Sequence, residues 1–195
     1  MYIALIRYII GAYIPSLFLT TDEYSLMYPF WEKFTFLLRE SGYMHIQSTK
    51  PDSVGTALTD SPVGLCAYIL EKFSTWTNPD NTTKQNGGLE EKFKLDDLLT
   101  NISVYWLTGN ITSSLRYYKE SFGNTPSGKI LVPTAVADFP HELARMPEKW
   151  LRETMLPQLT QYTRMPSGGH FGAFELPKQL SDDIKSFVRL IINRE

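Results

Sequence analysis

The sequence predicts an α/β protein in which a long helical region precedes a small set of alternating strands and helices. Apolar residues recur at helical spacing through much of residues 1–122. A turn-rich segment follows at 123–128, and beyond it two β-prone runs are each succeeded by a helical pattern. That alternation is typical of a parallel sheet covered by helices. We therefore divide the chain into residues 1–122 and residues 123–195.

The composition indicates a globular protein and disfavours several classes of site. The 195 residues are 43% hydrophobic and carry a net charge of -2, with no basic stripe that would favour nucleic acid. A single cysteine, Cys66, excludes a disulfide within the chain. The histidines His45, His141 and His170 are far apart in sequence and form no cluster with metal-ligand spacing. We expect no metal and no other cofactor.

The first 20 residues are strongly apolar, and Arg7 is their only charged residue. Gly11 and Pro15 interrupt the apolar run, and no basic segment precedes it, so it is a poor match to a spanning helix or a signal peptide. We expect a surface that packs against other protein, with a membrane or targeting element as the alternative.

Four patterns before residue 123 predict helices. They run over 22–39 with an interruption at Pro29, from Ser61 to about Trp76, from about Leu95 to Thr108, and through 116–120. The helical spacing predicts these inward positions: Cys66, Ile69, Leu70 and Phe73, then Leu95, Leu98, Leu99 and Ile102. The polar, non-periodic segments 43–52 and 78–88 are predicted to be loops.

Residues 129–195 read as strand, helix, strand, helix. The β-branched run 129–137 predicts a buried strand, 147–155 a helix, and Leu159–Arg164 a second strand. The final helix opens at Pro177 and carries the apolar positions Leu180, Ile184, Phe187, Val188 and Ile191, which we expect to pack on a core. Two parallel strands do not make a stable sheet alone, so we expect the chain to be a piece of a larger fold.

A candidate base follows the second strand. Gly168 and Gly169 precede His170, and glycines allow a loop to present an imidazole to a cleft. In an open α/β sheet, functional groups gather beyond the carboxyl ends of the strands, so an acid after the first strand should lie near this histidine. Asp138 and Glu142 are both candidates for that acid. Their positions relative to the strand end slightly favour Asp138.

Seven segments carry a resemblance to a known family: Gly42–Gln47, Asp60–Leu65, Ala67–Phe73, Arg116–Glu120, Val132–Thr134, Pro147–Trp150 and Gly168–Phe171. In this order they resemble the C-terminal half of the microsomal epoxide hydrolases of animals. The resemblance implies a partial α/β-hydrolase fold, in which a helical cap is followed by the last two strands and helices of the core sheet. Residues 1–122 would then be the cap with a preceding apolar segment, and residues 123–195 the C-terminal part of the core.

The same resemblance implies a two-step conversion of lipophilic epoxides to vicinal diols. An aspartate attacks an epoxide carbon to form an ester, and a histidine with its acid then activates water to hydrolyse that ester. Matched residue by residue, the base falls on His170 and the acid on Glu142, in place of Asp138. The two cap tyrosines that hold the epoxide oxygen fall on Tyr43 and Tyr118. Phenol donors suit this role because negative charge develops on the oxygen as the ring opens.

The chain departs from the family's pattern at the nucleophile. It contains no Gly-x-Asp-x-Gly or Gly-x-Ser-x-Gly elbow and no His-Gly-x-Pro segment for an oxyanion hole. Since a base without a nucleophile cannot form the ester, we expect these residues to be an inactive fragment on their own. The alternatives are a non-catalytic module that binds apolar ligands, and another α/β-hydrolase such as a haloalkane dehalogenase or an esterase.

The resemblance also implies the setting of the reaction. The expected partners are a small lipophilic epoxide and water, without nucleic acid. A full-length relative is expected at the endoplasmic-reticulum membrane, in microsomal detoxification and the catabolism of aromatic hydrocarbons. The substrate would be a xenobiotic arene or alkene oxide, or else an endogenous terpenoid or lipid epoxide.

Overall fold

The computed structural model describes residues 6, 10–11, 13–17, 19–124 and 128–193. Within these ranges the α-helices are α1 (Thr21–Met27), α2 (Phe30–Glu40), α3 (Gly42–Thr49), α4 (Pro51–Asp60), α5 (Pro62–Thr75), α6 (Leu95–Thr108), α7 (Ile111–Ser121), α8 (Glu148–Thr154), α9 (Gly172–Glu175) and α10 (Pro177–Ile192). The strands are β1 (Thr134–Asp138) and β2 (Leu159–Arg164), and short 3-10 helices lie at Pro15–Leu17, Pro79–Thr83 and Leu89–Glu91.

Half of the predicted packing surface at residues 1–20 lies outside the described residues. Leu19, close to its end, is buried with Tyr28 and Trp150. Among the described residues, no helix is both long enough and apolar enough to cross a membrane.

The predicted interruption at Pro29 is confirmed. Helix α1 ends at Met27 and α2 begins at Phe30, so Pro29 occupies the position before the second helix. A proline is tolerated there because its missing N–H and fixed φ disturb no helical hydrogen bond.

The prediction of a loop over 43–52 is wrong, because α3 and the start of α4 occupy this segment. The hydroxyls of Ser48 and Thr49 donate to the carbonyl oxygens four residues earlier, at 2.6 and 2.7 Å, as in a continuous helix. The buried positions of α3 are the polar residues Gln47 and Ser48, so no apolar periodicity marks the helix. Helices α3 and α4 both pack on α7.

The helical region has a core of Leu58, Leu65, Ile102, Ile111 and Leu115. A second cluster, formed by Phe73, Phe93 and Leu98 with Phe171 packed against it, joins this region to the loop after β2.

Of the inward positions predicted for α6, only Leu98 and Ile102 are buried. Leu95 and Leu99 are 49% and 42% exposed, so the inward placement of these two residues is wrong. The half-buried Tyr105 packs beside Ile102 against the same core. The apolar stripe visible in the sequence is therefore displaced from, and wider than, the face that packs.

Strands β1 and β2 pair in parallel, with α8 in the connection between them. The second strand has the predicted bounds, whereas the first is Thr134–Asp138 and not 129–137. Residues 129–133 run beside the α8 connection, where the Ile130 N–H donates to the carbonyl oxygen of Met155 at 2.8 Å. Beyond the strands, His141 pairs with Gly169 in an isolated parallel bridge. This bridge holds the loops that follow the two strands side by side.

Helix α10 forms at the predicted place, but no residue in it is buried within the described structure. Ile184 and Val188, on its predicted core face, are 52% and 45% exposed. Leu180, Phe187 and Ile191 on the same face are half-buried, and the helix contacts both strands. The predicted face therefore lies toward the sheet but is only partly covered within these residues. The two-stranded sheet is too narrow to cover a helix of 16 residues.

Candidate active site

The structure brings His170 and Glu142 together at the carboxyl ends of the two strands. Glu142 lies in the loop after β1 and His170 in the loop after β2, the two loops that the His141–Gly169 bridge joins. The Nδ1 atom of His170 lies 2.8 Å from Oε1 of Glu142. The carboxylate therefore binds one ring nitrogen and leaves the other, Nε2, for a different partner.

Two glycines shape the loop that carries His170. Gly168 has φ of +94°, a conformation that favours glycine. Gly169 is required for a different reason: a Cβ on it would lie well under 3.0 Å from the carbonyl oxygen of Trp76 and 2.9 Å from that of Thr77. The loop thus passes directly over the end of α5, and the His170 N–H donates to the Trp76 carbonyl oxygen at 3.0 Å.

Asp138, the acid that strand geometry favoured, does not contact His170, so that preference is wrong. Its carboxylate is buried and accepts two hydrogen bonds from Arg145, at 2.7 and 2.6 Å, and one from the Tyr162 hydroxyl at 2.9 Å. The hydrogen bond from Arg145 to Asp138 raises the pKa of the guanidinium, and burial raises the pKa of Tyr162 to about 12. Asp138 therefore anchors the loop after β1.

Tyr43 and Tyr118 face each other across the helical region. Tyr43 is on α3 and Tyr118 on α7, and their ring centroids are 5.8 Å apart with the rings almost perpendicular. Both tyrosines and His170 line one cleft of about 530 Å³. Its apolar walls include Ile69, Phe73, Leu115, Phe171 and Phe174.

The electrostatics of the cleft favour neutral tyrosine and ionised glutamate. Burial, with Tyr118 as a further cause, raises the pKa of Tyr43 to about 12, so its hydroxyl remains a donor at neutral pH. Burial alone would raise the pKa of Glu142. The hydrogen bond and charge of His170 and the Leu143 N–H outweigh burial, so the pKa of Glu142 is lowered.

Trp76 is a central residue of the cleft that the sequence did not indicate as functional. Its ring centroid is 4.9 Å from that of Tyr43 and 4.9 Å from that of His170, with edge-to-face geometry in both pairs. Its indole N–H donates to the Glu40 carboxylate at 3.0 Å. The sequence places Trp76 only at the end of a helix, and nothing in the local pattern shows which residues its ring will contact.

A third tyrosine also lines the cleft and was not predicted. The hydroxyl of Tyr68 donates to Oε1 of the buried Gln47 at 3.0 Å, and burial raises the pKa of Tyr68 to about 12. The spacing of Tyr68 in α5 resembles that of an ordinary packing residue. Among the residues that the structure describes, no group of three or more His, Cys, Asp or Glu could hold a metal ion.

The known proteins that match this chain in sequence are epoxide hydrolases. No family model matches the chain. Epoxide hydrolase 1 of Oryctolagus cuniculus is 58% identical over 179 residues, which are 88% of this chain and 39% of that protein. Juvenile hormone epoxide hydrolase of Bombyx mori is 46% identical over 181 residues, which are 90% of this chain and 39% of that protein.

Solved structures agree with the sequence comparison. The crystal structure of juvenile hormone epoxide hydrolase from the silkworm Bombyx mori matches with a TM-score of 0.92 and 43% identity, covering 98% of this chain and 47% of that one. The structure of Aspergillus niger epoxide hydrolase matches with a TM-score of 0.70 and 26% identity, over 88% of this chain and 40% of that one. The chain thus spans less than half the length of each of these relatives.

Proposed function

Since this chain carries part of the epoxide hydrolase sequence and of its α/β-hydrolase fold, we propose that the whole protein converts lipophilic epoxides to vicinal diols. One observation carries the proposal: His170, Tyr43 and Tyr118 line the same cleft, and Glu142 binds Nδ1 of the imidazole. Donors for a developing oxyanion and a base for water thus lie within reach of one bound ligand. The apolar walls of the cleft suit a lipophilic substrate.

The first step opens the ring. A carboxylate oxygen of an aspartate, which we propose to lie in the whole protein outside these 195 residues, forms a bond to an epoxide carbon. The bond from that carbon to the epoxide oxygen breaks, and its electron pair moves to the oxygen. Tyr43 and Tyr118 stabilise this oxygen by donating hydrogen bonds, and one of them supplies the proton that makes it a hydroxyl. Their effect is largest in the transition state, where the negative charge appears.

The second step hydrolyses the ester. Nε2 of His170 takes a proton from water while its Nδ1–H donates to Glu142, which stabilises the imidazolium. The hydroxide adds to the ester carbonyl, and the bond from the acyl carbon to the diol oxygen breaks. The imidazolium returns its proton to that oxygen, which releases the diol. The carboxyl group formed from the ester then loses its proton, by way of water, to the tyrosinate left from the first step, which restores both the aspartate carboxylate and the tyrosine hydroxyl.

Single-turnover measurements on the whole protein test this proposal. Replacement His170→Gln should leave ester formation intact and block its hydrolysis, so that mass spectrometry detects protein heavier by one substrate molecule. Replacement Tyr118→Phe should slow ester formation roughly 10²-fold. Its neighbour Tyr117 is 72% exposed, and Tyr117→Phe is the matched control with no expected effect. Failure of the unaltered protein to consume any lipophilic epoxide would refute the proposal.

A second candidate function follows from the absent nucleophile elbow: the 195 residues alone bind apolar epoxide-like ligands without turnover. Incubating the purified chain with styrene oxide distinguishes the two, with His170→Ala as control. Binding without diol formation is the expected result. Diol formation that depends on His170 would mean that water is activated without the ester. Haloalkane or ester hydrolysis is less well supported, because neither reaction needs the paired tyrosines of the cleft.

We further propose that the whole protein resides at the endoplasmic-reticulum membrane. The support is the resemblance to microsomal epoxide hydrolases, together with the identity to epoxide hydrolase 1. Fractionation of expressing cells tests it: recovery with microsomal membranes is expected, and recovery entirely in the soluble fraction would contradict it.

A further inference from the structure

Glu175 is a half-buried carboxylate next to the candidate base, and the two-step reaction gives it no role. It is the last residue of α9 and lies five residues after His170. Its Oε1 and Oε2 accept from the Gly169 N–H at 3.0 and 2.9 Å, and Oε1 also accepts from the Phe171 N–H at 3.1 Å. The side chain therefore binds the peptide groups on both sides of the histidine.

Three consecutive N–H groups of this loop are held by two acceptors. Gly169 and Phe171 donate to Glu175, and His170, between them, donates to the Trp76 carbonyl oxygen on the opposite side. Alternating acceptors fix the orientation of each peptide plane, and hence the direction of the Cα–Cβ bond of His170. Trp76 supplies its acceptor through the backbone, so Glu175 is the acceptor that a side-chain substitution removes.

Resting on the proposed function, we propose that Glu175 is a positioning residue for His170, whose carboxylate holds the base in line with water and the ester in the second step. The carboxylate acts through the backbone and does not touch the imidazole. Loss of the carboxylate should slow ester hydrolysis, which uses His170. It should not change the rate of ring opening, which uses the tyrosines.

A glutamate carboxylate suits this role better than the side-chain amide of glutamine. Oε1 can serve both N–H groups, but Oε2 lies 2.9 Å from the Gly169 nitrogen. In Glu175→Gln, an NH2 group would occupy one of these two positions and face another donor. The loop would have to shift, although the side chain keeps almost the same size.

The thermal stability of Glu175→Gln distinguishes a positioning role from a purely structural one. Burial raises the pKa of Glu175, with the nearby Glu142 adding to the shift and the two loop N–H groups and Lys92 opposing it. A raised carboxyl pKa means that ionisation of Glu175 is less favourable in the folded than in the unfolded protein, so above this pKa the charge lowers stability. In the neutral Glu175→Gln variant, loss of this unfavourable charge offsets the cost of the mispaired amide, so the variant is expected to keep a melting temperature close to that of the unaltered protein while losing activity.

The test measures both steps in the whole protein bearing Glu175→Gln. Ester formation should keep its rate, whereas ester hydrolysis should slow roughly 10- to 100-fold, because displacement of a catalytic group by about 1 Å has effects of this size. The ester should therefore accumulate. Asp183→Asn is the matched control. The carboxylate of Asp183 also accepts hydrogen bonds, in this case from the side chains of Gln161 and Thr163, but it lies outside the cleft. It should leave both rates unchanged.

Two results for Glu175→Gln would contradict the positioning role. Unchanged hydrolysis in Glu175→Gln overturns the inference, and so does equal slowing of both steps together with a lower melting temperature. If the unaltered protein forms neither ester nor diol, the proposed function fails, and hydrogen exchange then decides on Glu175 without a substrate. Faster exchange of the N–H groups of residues 169 and 171 in Glu175→Gln is expected, and unchanged exchange overturns the positioning role.

Discussion

Replacing Gly169 by alanine tests the geometry of the base most directly. The added Cβ would lie 2.9 Å from the carbonyl oxygen of Thr77 and closer still to that of Trp76, whereas ordinary contacts begin at 3.4 Å. Both neighbours are backbone atoms that close α5, so they cannot rotate away as a side chain can. The loop must therefore move outward, by about 1 Å, and the hydrogen bond from the His170 N–H to Trp76 stretches with it. A displacement of this size at a catalytic group costs roughly 10²-fold in rate.

Single-turnover kinetics of the whole protein check this expectation. In Gly169→Ala, ester formation should be close to normal and ester hydrolysis about 100-fold slower. Gly42→Ala is the matched control, because a Cβ on Gly42 has no atom within 4 Å. A Gly169→Ala variant that hydrolyses the ester at the normal rate would show that the close approach of this loop to α5 does not position His170.

Three further predictions concern the cleft and the core. Because the pKa of Tyr43 is raised from 10.0 to about 12, its hydroxyl stays protonated at pH 10.0, and the rate of ring opening should not decrease around that pH. A pH–rate profile with a midpoint at pH 10.0 would contradict the role of Tyr43 as a donor. Because the pKa of Glu142 is lowered from its ordinary value, its stabilising contribution is complete above that ordinary value and is lost as the pH falls through the lowered one. Glu142→Gln should slow ester hydrolysis roughly 10²-fold. Asp138→Asn should instead lower the free energy of unfolding by about 3 kcal/mol, with the ratio of the two step rates unchanged. Leu98→Ala, at a side chain with 0% exposure, should cost about 2–5 kcal/mol in urea unfolding, and Leu107→Ala on the same helix, with 82% exposure, should cost nearly nothing.

The sequence was informative where apolar periodicity and backbone chemistry decide the structure. The bounds of β2 and the interruption at Pro29 both follow from local preferences. The sequence was uninformative for α3, because the buried face of that helix is polar and a polar stretch without period indicates a loop. Contact with α7 makes the helix stable there, and that contact is a property of the tertiary structure.

The choice between the two candidate acids shows the same limit. Asp138 and Glu142 are four residues apart, and either could lie near a histidine after the next strand. The decisive fact is that Arg145 and Tyr162 bind Asp138, which leaves Glu142 for His170. Resemblance to the family indicated Glu142, the carboxylate that contacts His170 in the structure, because a family's motif already contains the result of such tertiary contacts.

Trp76 links the two steps of the proposed reaction. Its ring packs on Tyr43, the proposed donor in ring opening, and its carbonyl oxygen accepts from the N–H of His170, the proposed base in ester hydrolysis. Glu40 fixes the indole from the helical region, while Glu175 fixes the histidine loop from the strand region. A change at Glu40 should therefore reach both steps through the indole, whereas a change at Glu175 should reach only the second. Substituting Glu40 and substituting Glu175 are therefore comparable changes, each removing one carboxylate. Comparing their effects on the two steps distinguishes the placement of the oxyanion donor from the placement of the base.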